Sequence, residues 1–370
     1  MVIGGGIVGT AAAAFLVEGG ARVTLVEQEG LASGASGANS GVVQHPFDPI
    51  LAQLYEETLA LYRELSAADL GFRLGDEPAG LMYVSVDQAA PRLIAGLLSE
   101  AFPKLHTDVL SGADLERLEP ALARGLWACR AEMGFPVFPG ASTYAYATRA
   151  ERGGAHIRLG RTATLDRHGD EVRGVVVDGR ALACDAVLVA AGPWTPAIID
   201  PTGAWAPIYR TWGVVVEVEL EDGPRHVLEG AEINAAIGQA EAHATDEAAD
   251  YVDFSVMPLP GMATVGSTFL LREPDHRAWV EPILQRAATF VPAVNDAPIR
   301  SSRACARPQS ADGRPLIGRV PGQRRLYVCA GHGPWGISTG PASARLVVDE
   351  IMGRSPAIPP ELDTGRFGQP

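Results

Sequence analysis

Met1-Val2-Ile3 is a short β-type run that ends in Gly4-Gly5-Gly6-Ile7-Val8-Gly9, and an alanine-rich helical pattern follows from Thr10 to Glu18. Gly19-Gly20 stops that helix, and Ala21 to Glu27 reads as a second strand. No other segment limits the fold so tightly, because strand, glycine turn, helix and strand in this order build the half of an α/β sheet that holds a dinucleotide. Gly4 permits the tight turn, Gly6 lets backbone approach a pyrophosphate, and Gly9 lets the helix pack on the strand. The opening helical N–H groups, at Ile7 and Val8, then meet phosphate at the positive end of the helix. Glu27, with Gln28 beside it, closes the second strand eighteen residues after Gly9, where a carboxylate accepts from ribose hydroxyls. Only three residues precede Gly4, against ~5–6 residues in an ordinary strand. From this we expect the natural start to lie upstream of Met1.

Composition narrows what such a fold can serve. Hydrophobic residues make up 47% of the 370 and charged ones 20%, which provides a packed core and excludes disorder. The net charge is −14 and no basic cluster stands out, so nucleic acid is not expected as a partner. Cys129, Cys184, Cys305 and Cys329 are far apart and form no C-x-x-C pair, which fits neither a disulfide framework nor a zinc site; no metal is expected. A reducing cytoplasm follows as the expected compartment. No apolar run reaches the ~18 residues of a membrane span, and the glycine-broken start lacks the basic region of a signal peptide.

Three later segments add to the fingerprint. Gly34 to Val43 is a small polar loop containing Ser36, Asn39, Ser40, Gly41 and Val42, which brings N–H groups and hydroxyls near an anion or a ring edge. Ala186 to Ala190 is an apolar strand that ends in the turn Ala191-Gly192-Pro193-Trp194. Near the C-terminus, Arg307-Pro308 and Asp312-Gly313-Arg314-Pro315 precede a strand, Leu326 to Ala330, and the turn Gly331-His332-Gly333-Pro334-Trp335-Gly336-Ile337-Ser338. Together with the N-terminal turn, and in this order from Val2 to about Gly353, these motifs resemble the FAD-dependent oxidoreductases of the D-amino acid oxidase superfamily. That group includes glycine oxidase, sarcosine oxidase and D-amino acid dehydrogenase.

The resemblance implies an α/β fold, α+β overall, in which a Rossmann-like FAD-binding domain (1–75, 141–204 and 302–370) is interleaved with a smaller antiparallel-sheet substrate domain (76–140 and 205–301). Trp212 to Val218, Tyr251 to Val256 and Met262 to Thr268 alternate as strands of that sheet. Asp275 to Phe290 reads as a helix, and Glu219 to Asp250, acidic and alanine-rich, as surface. FAD is the implied cofactor. The resemblance places at it the residues named in the first two glycine-rich segments, a backbone group at Thr162, then Ala191, Gly192 and Trp194, and finally Gly331, His332, Gly333, Gly336, Ile337 and Ser338. A helix from Pro341 to Met352, closed by Gly353, is expected behind the last turn with its positive end toward the flavin.

It also implies oxidation of a C–N bond next to a carboxylate, by hydride transfer to flavin N5, giving an imine that water releases as a keto acid. The protein then has to orient a small amino acid or secondary amine; His45 and His332 are the candidates for relaying a proton. Arg307 stands where glycine oxidase and D-amino acid oxidase carry their carboxylate-binding arginine, and a guanidinium fork suits that task. Tyr209, Arg210, Trp212 and Tyr251 are candidate pocket walls. Lysine occurs once, at Lys104, while Pro334-Trp335 and Thr264 stand where sarcosine oxidases carry lysines, so the glycine and D-amino acid type is favoured. Cys305 lies seven residues before Asp312, the spacing of the covalent flavin link in monomeric sarcosine oxidase. Noncovalent FAD is the expectation, with that link as the alternative. Two other readings stay open: a 2-hydroxy acid dehydrogenase, whose loop Asn39 to Val43 also resembles, and an FAD-carrying subunit of a multisubunit dehydrogenase. Association as a homo-oligomer or with dehydrogenase partner subunits is equally open.

Overall fold

Val2–Ile3 and Val187–Val189 are entirely apolar, and both lie in the middle of a six-stranded sheet, buried on both faces as parallel strands require. The computed structural model describes residues 1–232, 251–354 and 358–370. Across this sheet the strands run Leu316–Arg319, Leu326–Ala330, Val187–Val189, Val2–Ile3, Thr24–Val26 and His156–Arg158. All neighbours are parallel except the outer pair Leu316–Arg319 and Leu326–Ala330. Helix Ile7–Glu18 packs between helices Ala141–Arg152 and Gly336–Ile351. Its run Ala11 to Ala14 is fully buried, because methyl side chains let three helices approach on all sides. Asp48 opens helix Pro49–Ala67 by accepting from Ile50 N (2.7 Å) and Leu51 N (3.2 Å), with Pro49 at the first position where its missing N–H costs nothing.

The last long helix corrects the sequence reading. It starts at Gly336, not Pro341, and so carries a proline in its interior. A proline there removes the N–H that Ile337 O would accept. The Tyr62 hydroxyl donates to that carbonyl instead, at 2.7 Å, and Thr58 Oγ1 accepts from Ala342 N at 3.2 Å. Side chains from a neighbouring helix therefore stand in for the lost bond.

The second sheet has eight strands in the order Ile299–Ser310, Ile208–Glu219, Met262–Phe269, Tyr251–Leu259, Val227–Gly230, Leu81–Ser85, Trp127–Ala131 and Thr107–Ser111. It is antiparallel apart from Val227–Gly230 against Leu81–Ser85. Alternation sorts its two faces. Val214, Val216 and Val218 pack with Ile283 and Leu284 of helix Val280–Ala288, while Tyr209, Thr211, Gly213 and Val215 turn to the cavity between the two sheets. Part of the segment read as surface, Glu219 to Asp250, is core instead: Val227 and Leu228 are fully buried, since their strand is central in the sheet, and Ala231 just past its end is buried as well. Residues 233–250 of that segment lie outside the described residues.

Strand Ile299–Ser310 crosses position 302 and stays paired with Ile208–Glu219 to its end. We therefore propose that the passage back to the first sheet falls after Ser310, the remaining domain limits staying as read from the sequence. A three-stranded antiparallel sheet, Ala163–His168, Glu171–Val177 and Arg180–Ala183, flanks the first sheet. Among the described residues, no helix is long and apolar enough to cross a membrane.

Candidate active site

One cavity of about 1670 Å³ runs from the N-terminal glycine turn to the open face of the eight-stranded sheet. At its first end, Gly4 has φ +116°, and a Cβ there or at Gly9 would overlap backbone, Ala190 O and Gly4 O respectively. Gly5 is equally constrained, because a Cβ would lie 2.8 Å from Glu27 Cγ. Gly6 differs: its Cβ would meet only Ser36 Oγ, at 3.0 Å, so its bare backbone is the part that fronts the cavity. Ile7 N opens the helix and donates to Ser36 Oγ at 2.9 Å. The buried Glu27 accepts from Gly5 N (2.6 Å) and Glu29 N (2.8 Å), one bond per oxygen, which fixes the carboxylate and leaves lone pairs for further donors.

Gln28, Thr162, Ala191, Gly192, Trp194, His332, Gly333, Gly336, Ile337 and Ser338 all line this cavity with Gly4, Gly6, Ile7, Val8, Ser36, Asn39, Ser40 and Val42. Three glycines named from the sequence do not: Gly9, Gly41 and Gly331 serve packing and turning, with φ +90° at Gly41 and +89° at Gly331. Asn39 spends its side chain locally, donating to Ala35 O and Ser36 O and accepting from Gly41 N. His332 is 2% exposed, and its Nε2 has no hydrogen-bond partner among the described residues. Burial pushes its pKa down to about 4, so the ring is neutral at ordinary pH. A bare-backbone turn, a helix N-terminus, a fixed carboxylate and an unmet buried ring nitrogen in one long cavity fit a dinucleotide cofactor.

His45 is not part of the cavity. Its Nδ1 lies 2.6 Å from Pro46 O, and its ring meets Tyr55 and Phe102 edge-on. Neighbouring Gln44 points the other way along the extended chain and lines the cavity. Thr264 also lies off the lining; Ser267 and Phe269 represent its strand there. Arg210 faces a smaller hollow beside the main one, over the Trp194 ring at 5.6 Å, while Trp212 lines the main cavity. Cys305 lines it as a buried thiol whose pKa burial raises, which disfavours the thiolate that a covalent link would need.

The other end is built around Arg307. Its Nη1 donates to Thr268 O at 3.0 Å and its Nη2 to Ser267 Oγ at 3.2 Å, and its guanidinium lies 4.4 Å over the Phe269 ring. Tyr251 stacks on Phe269 with centroids 5.0 Å apart at 17°. The guanidinium also passes directly over Gly213, where any Cβ would collide with it. Burial lowers the Arg307 pKa, yet a guanidinium remains the cation of choice for such a place. Tyr209, 37% exposed, stands at the rim. Tyr251, Asp253, Ser255 and Met257 alternate onto the cavity face of one strand, and burial pushes the Tyr251 phenol up to about 12 and the Asp253 carboxyl up to about 7. Sequence reasoning named Tyr251 and missed Asp253, although period-two counting from Tyr251 points to it. Gly213, Ser267 and Phe269 carried no such signal, because only strand pairing brings them under Arg307.

A dinucleotide cradle joined to an arginine-bearing sheet wall defines a flavin-type oxidoreductase, and the comparisons with known proteins agree. The model of the DAO family, FAD dependent oxidoreductase, matches residues 1–350, and the chain belongs to that family. It is an FAD-dependent oxidoreductase. The glycine oxidase of Pseudomonas aeruginosa is 28% identical over 383 aligned residues, spanning 97% of this chain and 96% of its own. Glycine oxidase from Bacillus cereus has the same fold, with a TM-score of 0.81 at 24% identity over 96% of this chain and 95% of its own. Iminodiacetate oxidase from Chelativorans sp. BNC1 also has it, with a TM-score of 0.81 at 22% identity over 98% of each chain.

Proposed function

We propose that the protein oxidises a small amino acid or secondary amine of the glycine or D-amino acid type to the imine. The observation that carries this reading is Arg307, a cation held over Gly213 on the wall of the same cavity that holds the glycine turn. The names of the relatives, glycine oxidase and iminodiacetate oxidase, support an amine bearing a carboxylate. Bound FAD would accept a hydride from the carbon beside nitrogen, whose lone pair closes the C=N bond as its proton leaves, and water then hydrolyses the imine.

The chain's own residues do the rest. Backbone at Gly4 to Val8 and the Ile7 helix end would hold the pyrophosphate, Glu27 the ribose, and the Gly331 to Ser338 turn with its helix end the ring. Arg307 binds the carboxylate through its outward N–H groups, since Ser267 and Thr268 already take one donor from each terminal nitrogen. The Phe269 and Tyr251 rings keep that pair dry, which strengthens it. His332, neutral and on the cavity wall, can take a proton from the reacting group. That same base would serve a 2-hydroxy acid, so hydroxy acids belong in the test. Anaerobic mixing of the flavin-loaded protein with glycine, D- and L-amino acids, sarcosine and 2-hydroxy acids should bleach the flavin band with amino acids and less with Arg307→Ala. Bleaching by hydroxy acids alone would overturn the reading.

A further inference from the structure

Arg307 recognises a carboxylate and is blind to whether an amine or a hydroxyl sits on the neighbouring carbon. A group that tells the two apart must answer to charge, because an amine at ordinary pH is an ammonium and a hydroxyl is neutral. Asp253 is placed for this. Pairing between strands Tyr251–Leu259 and Met262–Phe269 jumps from Val252 opposite Thr268 to Ser255 opposite Gly266, so Asp253 and Phe254 share the place opposite Ser267. An extra residue of this kind re-aims side chains, and bulges recur beside active sites for that reason. Phe254 turns to the far face, where its ring stacks on Phe290, while Asp253 lines the cavity. Ser267 is the residue whose Oγ accepts from Arg307 Nη2. Arg307 comes to it from a strand on one side of Met262–Phe269, and Asp253 from the adjoining strand on the other.

The carboxyl and the guanidinium are close enough for each to bear on the other's ionisation, yet no hydrogen bond or ion pair among the described residues joins them. Asp253 Oδ1 is engaged: it accepts from Phe254 N at 2.7 Å and lies 2.8 Å from where a Cβ at Gly230 would stand. No hydrogen bond among the described residues uses Oδ2. A carboxylate with one open oxygen, beside a guanidinium with outward N–H groups, is complementary to a carboxylate and an ammonium carried on one carbon. A 2-hydroxy acid brings the negative charge without the positive one, and so sets a second carboxylate beside Asp253.

We propose that Asp253 sets the substrate class: its Oδ2 receives the ammonium of an amino acid whose carboxylate Arg307 holds, and it repels 2-hydroxy acids by charge. This rests on the amine-oxidation reading and assigns its selectivity to one residue. Burial pushes the Asp253 carboxyl up to about 7, so Oδ2 can also take the ammonium proton. The N–H bond then breaks, an O–H bond forms, and the electron pair stays on nitrogen, where closing the C=N bond requires it. His332 is left the proton that departs as that bond closes.

Binding tests this without turnover. 2-Aminoisobutyrate, 2-hydroxyisobutyrate and pivalate share one shape and carry an ammonium, a hydroxyl and a methyl on a carbon that has no hydrogen to give up. Titrated into the flavin-loaded protein at about pH 8 and followed by perturbation of the flavin spectrum, the amino acid should bind at least ~10-fold tighter than either of the others. In Asp253→Asn that preference should fall to ~3-fold or less. Acetate gives a second measurement that needs no variant. It brings a negative charge alone and so binds with Asp253 protonated, and its affinity should fall ~10-fold or more from about pH 6 to about pH 8.5 as that carboxyl ionises. Around Asp253 stand Glu229 of strand Val227–Gly230, Glu232 past its end, Arg286 of helix Val280–Ala288, Arg307, and the Tyr251 phenol. Asp253→Asn separates it from these, since acetate affinity there should no longer change with pH. Equal binding of 2-aminoisobutyrate and 2-hydroxyisobutyrate to the wild-type protein would overturn the proposal, as would an acetate affinity indifferent to pH or a preference that Asp253→Asn leaves intact. Binding of none of these carboxylates would overturn it together with the role of Arg307. If the preference holds and falls in the variant while no amine bleaches the flavin, the amine-oxidation reading fails alone. If amines bleach it without the preference, only the role of Asp253 fails.

Discussion

Gly9 and Gly213 both exist to leave room, and what fills that room differs. Over Gly9 lies the Gly4 carbonyl, rigid backbone five residues away in the same turn. Over Gly213 lies the guanidinium of Arg307, the movable end of a side chain from the neighbouring strand. The glycine turn at the cofactor end of the cavity is thus largely a local device, although Thr162, Trp194 and His332 reach the same cavity from distant segments. The substrate end is assembled from strands that meet only on folding, and its parts are adjustable. Damage to the first should remove the flavin, and damage to the second should change what the flavin oxidises.

Gly9→Ala is the harshest way to test this contrast. Backbone cannot yield as a side chain can, so the variant should lose bound flavin outright or fail to fold, read as the ratio of flavin to protein absorbance. Retention of full flavin would break the comparison. Arg307→Ala comes next: removing a buried charged partner of a carboxylate costs about 3 kcal/mol. The rate of anaerobic flavin reduction at low substrate should fall ~10²-fold, with flavin content unchanged.

His332 gives the third test. Its folded pKa, about 4, lies below the ordinary 6.5, so the unfolded chain binds the proton more readily and stability is fully present above 6.5 and lost as pH falls toward 4. Between pH 7 and 5 the wild-type protein should lose about 2 kcal/mol more unfolding free energy than His332→Asn, measured by denaturant titration. Identical pH profiles would count against the buried neutral ring. Gly213→Ala should raise KM by ~10-fold while leaving Tm and flavin content near wild type, because the guanidinium swings aside. A matching loss of flavin would show the two ends to be less separable than the glycines suggest. Smallest of all, Tyr62→Phe leaves Ile337 O without its donor and should cost about 1 kcal/mol of stability by denaturant titration.

The order of these effects follows how each part is encoded. The turn Gly4 to Gly9, helix Ile7–Glu18 and Glu27 were legible from residue order, since the contacts that require Gly5, Gly9 and Glu27 are within the first 27 residues, while Gly4 also answers to the distant Ala190 carbonyl. Helix Pro49–Ala67 likewise rests on a local cap, Asp48, with Pro49 at its first position. The last helix was misread at its start because Pro341 fits a first turn locally, and only the hydroxyl of Tyr62, far off in sequence, lets the helix begin at Gly336. His45 and Gln44 show the same limit on a smaller scale: both are polar and adjacent, and the burial of one against Tyr55 and Phe102 decides which reaches the cavity.

Residue order alone therefore determined that a dinucleotide is held and where, because short-range sterics and a helix end suffice for that. The family resemblance of its motifs, borne out over residues 1–350, supplied the FAD chemistry. Tertiary structure decided what stands opposite the cofactor. Arg307 rests on Gly213, Ser267, Thr268 and Phe269, and shares its end of the cavity with Tyr251 and Asp253, only because distant strands pair in one register. Strand register is set by burying one face of the whole sheet, a balance that no single segment of the chain carries.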